Sequence, residues 1–568
     1  MQNLYPRLAP ALLPAIELLL MAAAGVLILF SSKRRGHAPA STFRSLQLAF
    51  RHIGQHKRLA AFTVGAGLIA VRVALIPLLG IPEPQVHDEF SYLLAADTFA
   101  HGRATNPTHP MWIHFETFHV IFHPTYMSLF PPAQGLVLAT GQLLGHPWIG
   151  QLLITGIMCW ALCWMLQAWV PRRWALLGAV LAAVRLAMLS YWMNGYWSAS
   201  IVALGGALVL GAWPRVRKRL SLAQSAILGL GLVILANSRP YEGLVFAIPV
   251  ALTMLAWLFG LKRPRSWPAL SRVVLPMVSV LLLGGLAAGW YYHRVTGSAF
   301  RMTYEVSSAE YGTAPYFLWQ TPRPLPVYQH AAIGDYYRAL LDRFNASRTL
   351  KGYLLSAGRR FEVCWQFYLG PLLTVPLLAL PWIVHQRKFA LPLLICGVTA
   401  AGIAVEAQTL PHYFSPATGA LYILLVQGLR QLNLWRRRTG FGPAVVRAIP
   451  VLAVAMILLR VTAVIAHTRI EPVWPRGDLQ RAAALRSLHQ LPGEHLVLVR
   501  YSPQHNPHRE WVWNDAEIDA AKVIWARDMG EGRNQELLQY FRNRRVWQIS
   551  IDDDSPKLES YEPASAPN

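Results

Sequence analysis

Asp88 and Glu89 stand side by side in the stretch Glu83-Pro-Gln-Val-His87-Asp88-Glu89-Phe90-Ser91-Tyr92, just past the end of a long apolar run. A carboxylate at a membrane surface has to be solvated, paired or put to use. Two in succession beside an imidazole offer a general base for a hydroxyl nucleophile, or ligands for a cation. A solvated turn, or a helix N-terminus whose dipole favours acids, is the plain alternative. Other reactive side chains sit at the ends of further apolar runs: Arg239 and Glu242 in Asn237-Ser-Arg-Pro-Tyr-Glu-Gly243, and His412 and Tyr413 in His412-Tyr-Phe-Ser-Pro416. Glu116 shares the Asp88 loop with His109, His114, His119 and His123, and the last two would share a face if that segment were helical. Imidazoles with carboxylates suit zinc or manganese, but these spacings match no defined metal motif.

The elements that must position these groups are membrane helices. The chain has 568 residues, 54% apolar and only 14% charged, which is too apolar for an ordinary soluble protein of this size. Apolar runs at 11–31, 59–80, 147–169, 175–193, 198–213, 222–238, 243–260, 274–292, 363–384, 389–408, 414–431 and 447–467 predict about twelve crossings. The first run carries its basic cluster Lys33-Arg34-Arg35 after the apolar core, so it reads as an anchor rather than a signal peptide.

Charge gives the sidedness. The short basic loops 32–58, 170–174, 214–221, 261–273, 385–388 and 432–446 contain no Asp or Glu, and the positive-inside rule places all six in the cytoplasm. The acids then fall on the opposite face, with Glu17 the clear exception inside a run. The net charge of +24 is therefore a topology signal and not a nucleic-acid footprint. Cys159, Cys163, Cys364 and Cys396 lie in or at the edges of runs and read as packing residues, with no disulfide framework.

Three units follow: an anchor helix and basic loop (1–58), a transmembrane module (59–467) with external loops 81–146 and 293–362, and an extracytoplasmic tail (468–568). Within the first loop, Ser128 to Gly141 is apolar but short and Pro-interrupted, and reads as an interfacial or re-entrant helix. Strand-like runs at His495–Tyr501, Trp511–Trp513, Lys522–Arg527 and Val546–Ile551, with a helix over 534–543, predict a small α/β cap. The end, with Asp552-Asp553-Asp554, reads as disordered.

The order of basic loop, apolar span, His87-Asp88-Glu89-Phe90-Ser91-Tyr92, Phe130-Pro-Pro-Ala-Gln-Gly135, and the Arg239 and His412 motifs resembles the GT-C superfamily of polytopic glycosyltransferases. Its members include protein O-mannosyltransferases and aminoarabinose transferases. The resemblance covers about 80–416 and rests on the order and sidedness of motifs, none specific alone. It implies an all-α polytopic enzyme of a bacterial inner membrane, with its site facing the periplasm. The implied donor is a sugar on a polyprenyl phosphate, and the implied acceptor a hydroxyl of a lipid, glycan or protein, with membrane lipids the only other partner. Asp88 would be the base of an inverting transfer, and Glu89 would position it or the acceptor.

The leaving phosphate needs fixed cations, a role open to Arg239 and His412, with His87, Glu116, Glu242 and Tyr413 as further substrate contacts. Arg301, Arg323 and Arg338 form a wider pool. No cofactor is required on this reading, and a divalent metal is a minor alternative, because the turn Tyr191-Trp-Met-Asn-Gly-Tyr-Trp197 lacks a second acidic motif. The aromatic turns with Trp192, Tyr196 and Trp197 and with Trp290-Tyr291-Tyr292 could stack on sugars, though a membrane-anchoring belt is the commoner role. The rival function is a secondary transporter or lipid flippase, which should place ionisable groups at mid-membrane and repeat its broken helices. A catalytically inert receptor is a third reading.

Overall fold

The computed structural model describes residues 9–33, 41–260, 266–435, 440–468, 470, 473–552 and 556–561; Arg34, Arg35, Asp553 and Asp554 lie outside the described residues. Seven described helices are long and apolar enough to cross a membrane: Leu12–Phe30, Pro147–Trp169, Ala199–Arg219, Pro240–Phe259, Trp267–Thr296, Arg387–Ala404 and Phe441–Ile465. An eighth is counted if Leu350–Tyr368 and Gly370–Ile383 form one span. The chain is an integral membrane protein.

The remaining apolar runs fold differently from straight spans. Lys57–Ala74 carries a fully buried Arg72, and Leu222–Ala236 has only 15 residues. Arg172–Ala182 passes into a π-helical turn, Ala183–Met188, and the 414–431 run opens as the 3-10 turn Pro411–Ala417 before the helix Thr418–Leu434. The run 363–384 is not one helix, because the two helices there meet at 93°. The break follows from two adjacent residues. Gly370 has φ +56, a conformation other residues resist, and Pro371 removes a backbone donor. A Cβ at 370 would also collide with the Arg185 guanidinium.

That guanidinium explains the acid inside the first apolar run. Glu17 is 4% exposed, lies 3.6 Å from Arg185, and accepts the Leu372 N–H at 3.2 Å. Arg185 also donates to the carbonyls of Phe367 (3.1 Å) and Gln366. The helix break thus frees carbonyls that the arginine satisfies, and the arginine in turn neutralises Glu17.

The Asp88 helix, His87–Ala100, rests on Pro132–Leu143, which packs on Pro147–Trp169. Ahead of it, Val120–Ile121 pairs antiparallel with Met127–Ser128. The 12 residues of Pro132–Leu143 are too few to cross a membrane. The segment 293–362 holds the helices Thr303–Glu310 and Ala331–Ser347 and the start of Leu350–Tyr368.

In the tail, Val523–Arg527, His495–Arg500 and Arg545–Ser550 lie parallel in that order, with Glu559–Ser560 antiparallel on the edge. The central strand is a continuous apolar run, as a strand covered on both faces requires. The helices Leu479–Gln490 and Glu531–Tyr540 accompany it. Trp511–Trp513 is not a strand. The Glu510 carboxylate takes the Val512 N–H (2.8 Å) and Trp513 N–H closes on the Trp511 carbonyl (2.9 Å), so a tight turn replaces a ladder.

Replacing Glu17 by Ala leaves Arg185 without its counter-charge and should cost about 3 kcal/mol of stability. Glu17→Gln should cost less. Thermal unfolding of the detergent-solubilised variants measures both.

Candidate active site

The site is built on the first turn of His87–Ala100. Glu89, 5% exposed, accepts the N–H groups of Gln85 (3.0 Å) and Val86 (3.4 Å) on one oxygen and of Tyr196 (3.0 Å) on the other. An acid in this position satisfies donors that a helix N-terminus otherwise leaves open. It also ties the helix to the 191–197 turn. Gly195 permits that approach, since a Cβ there would lie 2.7 Å from Glu89 Oε1. Burial pushes the Glu89 carboxyl up to about 7, against the pull of the three N–H donors.

Asp88, one residue earlier, points elsewhere. His119 Nδ1–H donates to its Oδ1, and the Asp88 side chain keeps 17% exposure. Burial alone would raise this carboxyl, but His119, then His87 and His412, hold it well below the usual carboxylate range. Asp88 is therefore ionised at neutral pH. His119 has φ +59, a left-handed conformation rare for its type, and its carbonyl is fixed by Ser91 Oγ–H (2.6 Å) and Leu129 N–H (3.0 Å). Its Nε2 faces the Tyr336 hydroxyl at 3.5 Å.

His87 completes the cluster. Its ring is 4.6 Å from that of His119, and its Nε2 lies 3.2 Å from Nδ1 of His508. Burial holds His87 neutral, and its Nδ1 is buried without a hydrogen-bond partner. His87, Asp88 and His119 offer ligand atoms within 4.8 Å of one another. Imidazole nitrogens and a carboxylate are donors that suit zinc or manganese, so these three residues could hold a cation.

Arg239 and His412 lie in the same electrostatic neighbourhood. Asp88 is within range of His412, and Tyr92 and Tyr413 are within range of both Asp88 and Arg239. Arg239 Nη1 donates to Glu242 (2.7 Å), its guanidinium lies 4.1 Å over the Tyr413 ring, and its Nε is buried without a partner. His412, 1% exposed, meets the Tyr191 hydroxyl at Nδ1 (3.2 Å) and the Trp197 ring at 4.8 Å, and its Nε2 is also buried without a partner. Each is a buried polar atom whose hydrogen bond is left unmade within the protein.

Glu116 is placed apart from this group. It accepts the Tyr311 hydroxyl (2.8 Å), lies 3.4 Å from His330, and gives its carbonyl to Arg527 (2.7 Å). The other histidines of the loop disperse: His109 to Asp519 (2.9 Å), His114 to the Arg527 carbonyl (3.5 Å), His123 to Glu310 (3.5 Å). His119 and His123 share no helix face, because the segment between them is the strand Val120–Ile121. Arg323 and Arg338 are taken up locally, by the Ser308 carbonyl (2.7 Å) and Asp335 (2.6 Å). Trp192 is fully buried and presents no stacking face. Sequence reading missed His508, which lies 421 positions from His87 and carries no local motif.

Glu89→Ala leaves three backbone donors open and should destabilise the protein by roughly 3 kcal/mol. Glu89→Gln, whose single amide oxygen accepts on one side while its NH2 meets the N–H donor on the other, should recover only part of that stability and of the activity. Melting temperature and product formation, measured together, check both.

No protein-family model matches the chain, and no curated protein matches it significantly. Solved structures do. ArnT from Cupriavidus metallidurans in the apo state matches with a TM-score of 0.50 at 13% identity, covering 86% of this chain and 93% of ArnT. The same protein bound to undecaprenyl phosphate matches with the same figures. The Archaeoglobus fulgidus oligosaccharyltransferase in complex with Zn and sulfate matches at TM-score 0.49 and 12% identity, covering 86% of this chain and 67% of that one. The overlap with ArnT, over 86% of this chain and 93% of that one, shows that the two share a fold.

Proposed function

We propose that this protein is a membrane glycosyltransferase that moves a sugar from a polyprenyl-phosphate-linked donor to an acceptor hydroxyl on a lipid, glycan or protein. The observation that carries the reading is an ionised Asp88, still partly open, among buried imidazoles and within the same field as an arginine with an unsatisfied Nε. A hydroxyl is a poor nucleophile, and Asp88 takes its proton as the oxygen bonds the anomeric carbon. The phosphate departs from the opposite face with the electron pair, so configuration inverts. General-base help of this kind is worth ~10²–10⁴-fold. Arg239 and His412 would meet the developing phosphate charge, and Tyr413 under the guanidinium keeps that arginine aimed. Glu89 acts by fixing the helix start. A cation held by His87, Asp88 and His119 would add Lewis-acid stabilisation to the same site.

On this reading the bundle crosses about twelve times once shorter and bent segments are counted, and the six acid-free basic loops lie in the cytoplasm. The site then opens on the periplasmic face of a bacterial inner membrane, with the tail 468–568 as its cap. ArnT has been solved with undecaprenyl phosphate, and a lipid phosphate of that class is the donor carrier expected here.

Asp88→Asn should abolish transfer while leaving insertion and expression unchanged, as read by mass spectrometry of surface glycans in a deletion strain carrying the variant. Arg239→Lys keeps the charge but loses the planar fork, and should weaken undecaprenyl phosphate binding about tenfold in a thermal-shift titration. Ala100→Cys should react with an impermeant thiol reagent from the periplasmic side; reaction from the cytoplasmic side alone would invert the topology.

A further inference from the structure

At the end of the bundle remote from Asp88, two helices meet at a fixed corner. Ser41–Gln55 stops at Gln55, His56 turns the chain with an extended backbone, and Lys57–Ala74 begins. That second helix runs ~27 Å, at 1.5 Å per residue, before the chain turns toward Asp88. The corner therefore stands well apart from the candidate active site. Three contacts lock it to the turn between Pro147–Trp169 and Arg172–Ala182. Gly54 is buried against Arg173, where a Cβ would come within 3.2 Å of Cγ. Arg172 Nη1 donates to the Gln55 carbonyl (2.9 Å), and Gln167 Nε2 donates to the Lys57 carbonyl (3.0 Å).

Held this way, the corner gathers cations of one sign. One shallow recess is lined by His52, His56, Lys57, Arg58 and Leu59, and a second beside it by Gln55, Arg172, Arg173 and Trp174. Lys57, Arg58, Arg172 and Arg173 are all exposed. The stretches that supply them, 32–58 and 170–174, contain no Asp or Glu. Like charges gathered on a rigid support repel, and an anion set among them relieves that repulsion. The neighbouring surface is apolar: Leu59 is 43% exposed and Phe62 65%, one turn apart on the same face of the helix. A water-borne phosphate has no use for such a wall. A phospholipid does, because its phosphate and its acyl chains meet the protein side by side.

We propose that this corner is a binding site for an anionic phospholipid, whose phosphate sits among Lys57, Arg58 and Arg173 and whose acyl chain runs along Leu59 and Phe62. The proposal goes beyond the glycosyltransferase reading and stands or falls without it. A built site differs here from the general pull of a basic surface. The end of helix Ala199–Arg219 reaches the same side of the bundle, where Arg215 donates to the Trp164 carbonyl (2.8 Å). It exposes Arg217, Lys218 and Arg219, yet these three line neither recess.

The test titrates the full-length, detergent-solubilised protein with phosphatidylglycerol, and with phosphatidylcholine as the zwitterionic control, and reads bound lipid by native mass spectrometry. The parent should hold phosphatidylglycerol about tenfold more tightly than phosphatidylcholine. A Lys or Arg near anionic headgroups is worth roughly fivefold in affinity, so K57Q/R58Q/R173Q should lose at least about tenfold. The charge-keeping K57R/R58K/R173K and the remote R217Q/K218Q/R219Q should each stay within about threefold of the parent. Arg58→Gln alone should lose about fivefold, and it carries the same test if the triple variant melts early. Equal affinity for the two lipids, or an equal loss in R217Q/K218Q/R219Q, would overturn the proposal. So would displacement of phosphatidylglycerol by an equal concentration of glycerol 3-phosphate, which has the headgroup charge without the chains.

Discussion

A carboxylate that must stay charged while nearly stripped of water is the constraint around which the rest of this molecule is arranged. Isolated burial would protonate Asp88 or force it outward. Imidazoles solve the problem: His119 donates to Asp88 and, with His87 and His412 beyond it, holds the carboxyl well below the usual carboxylate range, so the oxygen stays anionic and still has lone pairs to offer. A lysine or arginine in direct contact would have held the charge more tightly and made it useless as a proton acceptor. Arg239, in the same neighbourhood, donates to Glu242 and lies over the Tyr413 ring. The strained backbone at His119 belongs to the same economy: φ +59 turns its ring to Asp88 while Ser91 and Leu129 hold its carbonyl behind.

The two adjacent acids divide the work because successive helical residues point about 100° apart. Glu89 turns into the protein and spends both oxygens on backbone N–H groups, which fixes the helix start and the 191–197 turn as one piece. Asp88 turns to the open side. A first turn without Glu89 would let the whole cluster shift, and a 1 Å displacement at a reacting centre is costly. The same turn reaches the site at a second point through Tyr191 on His412.

What the sequence disclosed followed from the range over which each signal acts. Long apolar runs such as 147–169 are local and readable, as are the strands at 495–500 and 545–550. The bend at Gly370 was not, because hydropathy averages across a glycine that the Arg185 contact makes decisive. Glu17 looked like an anomaly because its partner lies on another helix. The histidines of the first loop appeared as one metal-like group, yet a short hairpin and contacts to the tail and the 293–362 segment send each to a different neighbour. Trp511–Trp513 had the alternation of a strand, and the Glu510 side chain beside it took the backbone donor a ladder would have used. His508 is the extreme case, since nothing near it in the chain announces its partner.

The tail and the Asp88 helix form one cooperative unit for an electrostatic reason. Arg527 and Glu510 pair at 3% and 1% side-chain exposure, and Arg527 also donates to the Glu116 carbonyl in the first loop. Glu116 in turn holds Tyr311 and lies beside His330, both from the 293–362 segment. Three stretches remote in sequence therefore meet on one buried network of charged groups. In such surroundings hydrogen bonds reinforce one another, and an unpaired member is penalised heavily. Lifting the tail would strand the Glu116 carbonyl and unstack Trp513 from Phe90 on the Asp88 helix itself. The burial around Asp88 is thus maintained by contacts that cannot be released one at a time.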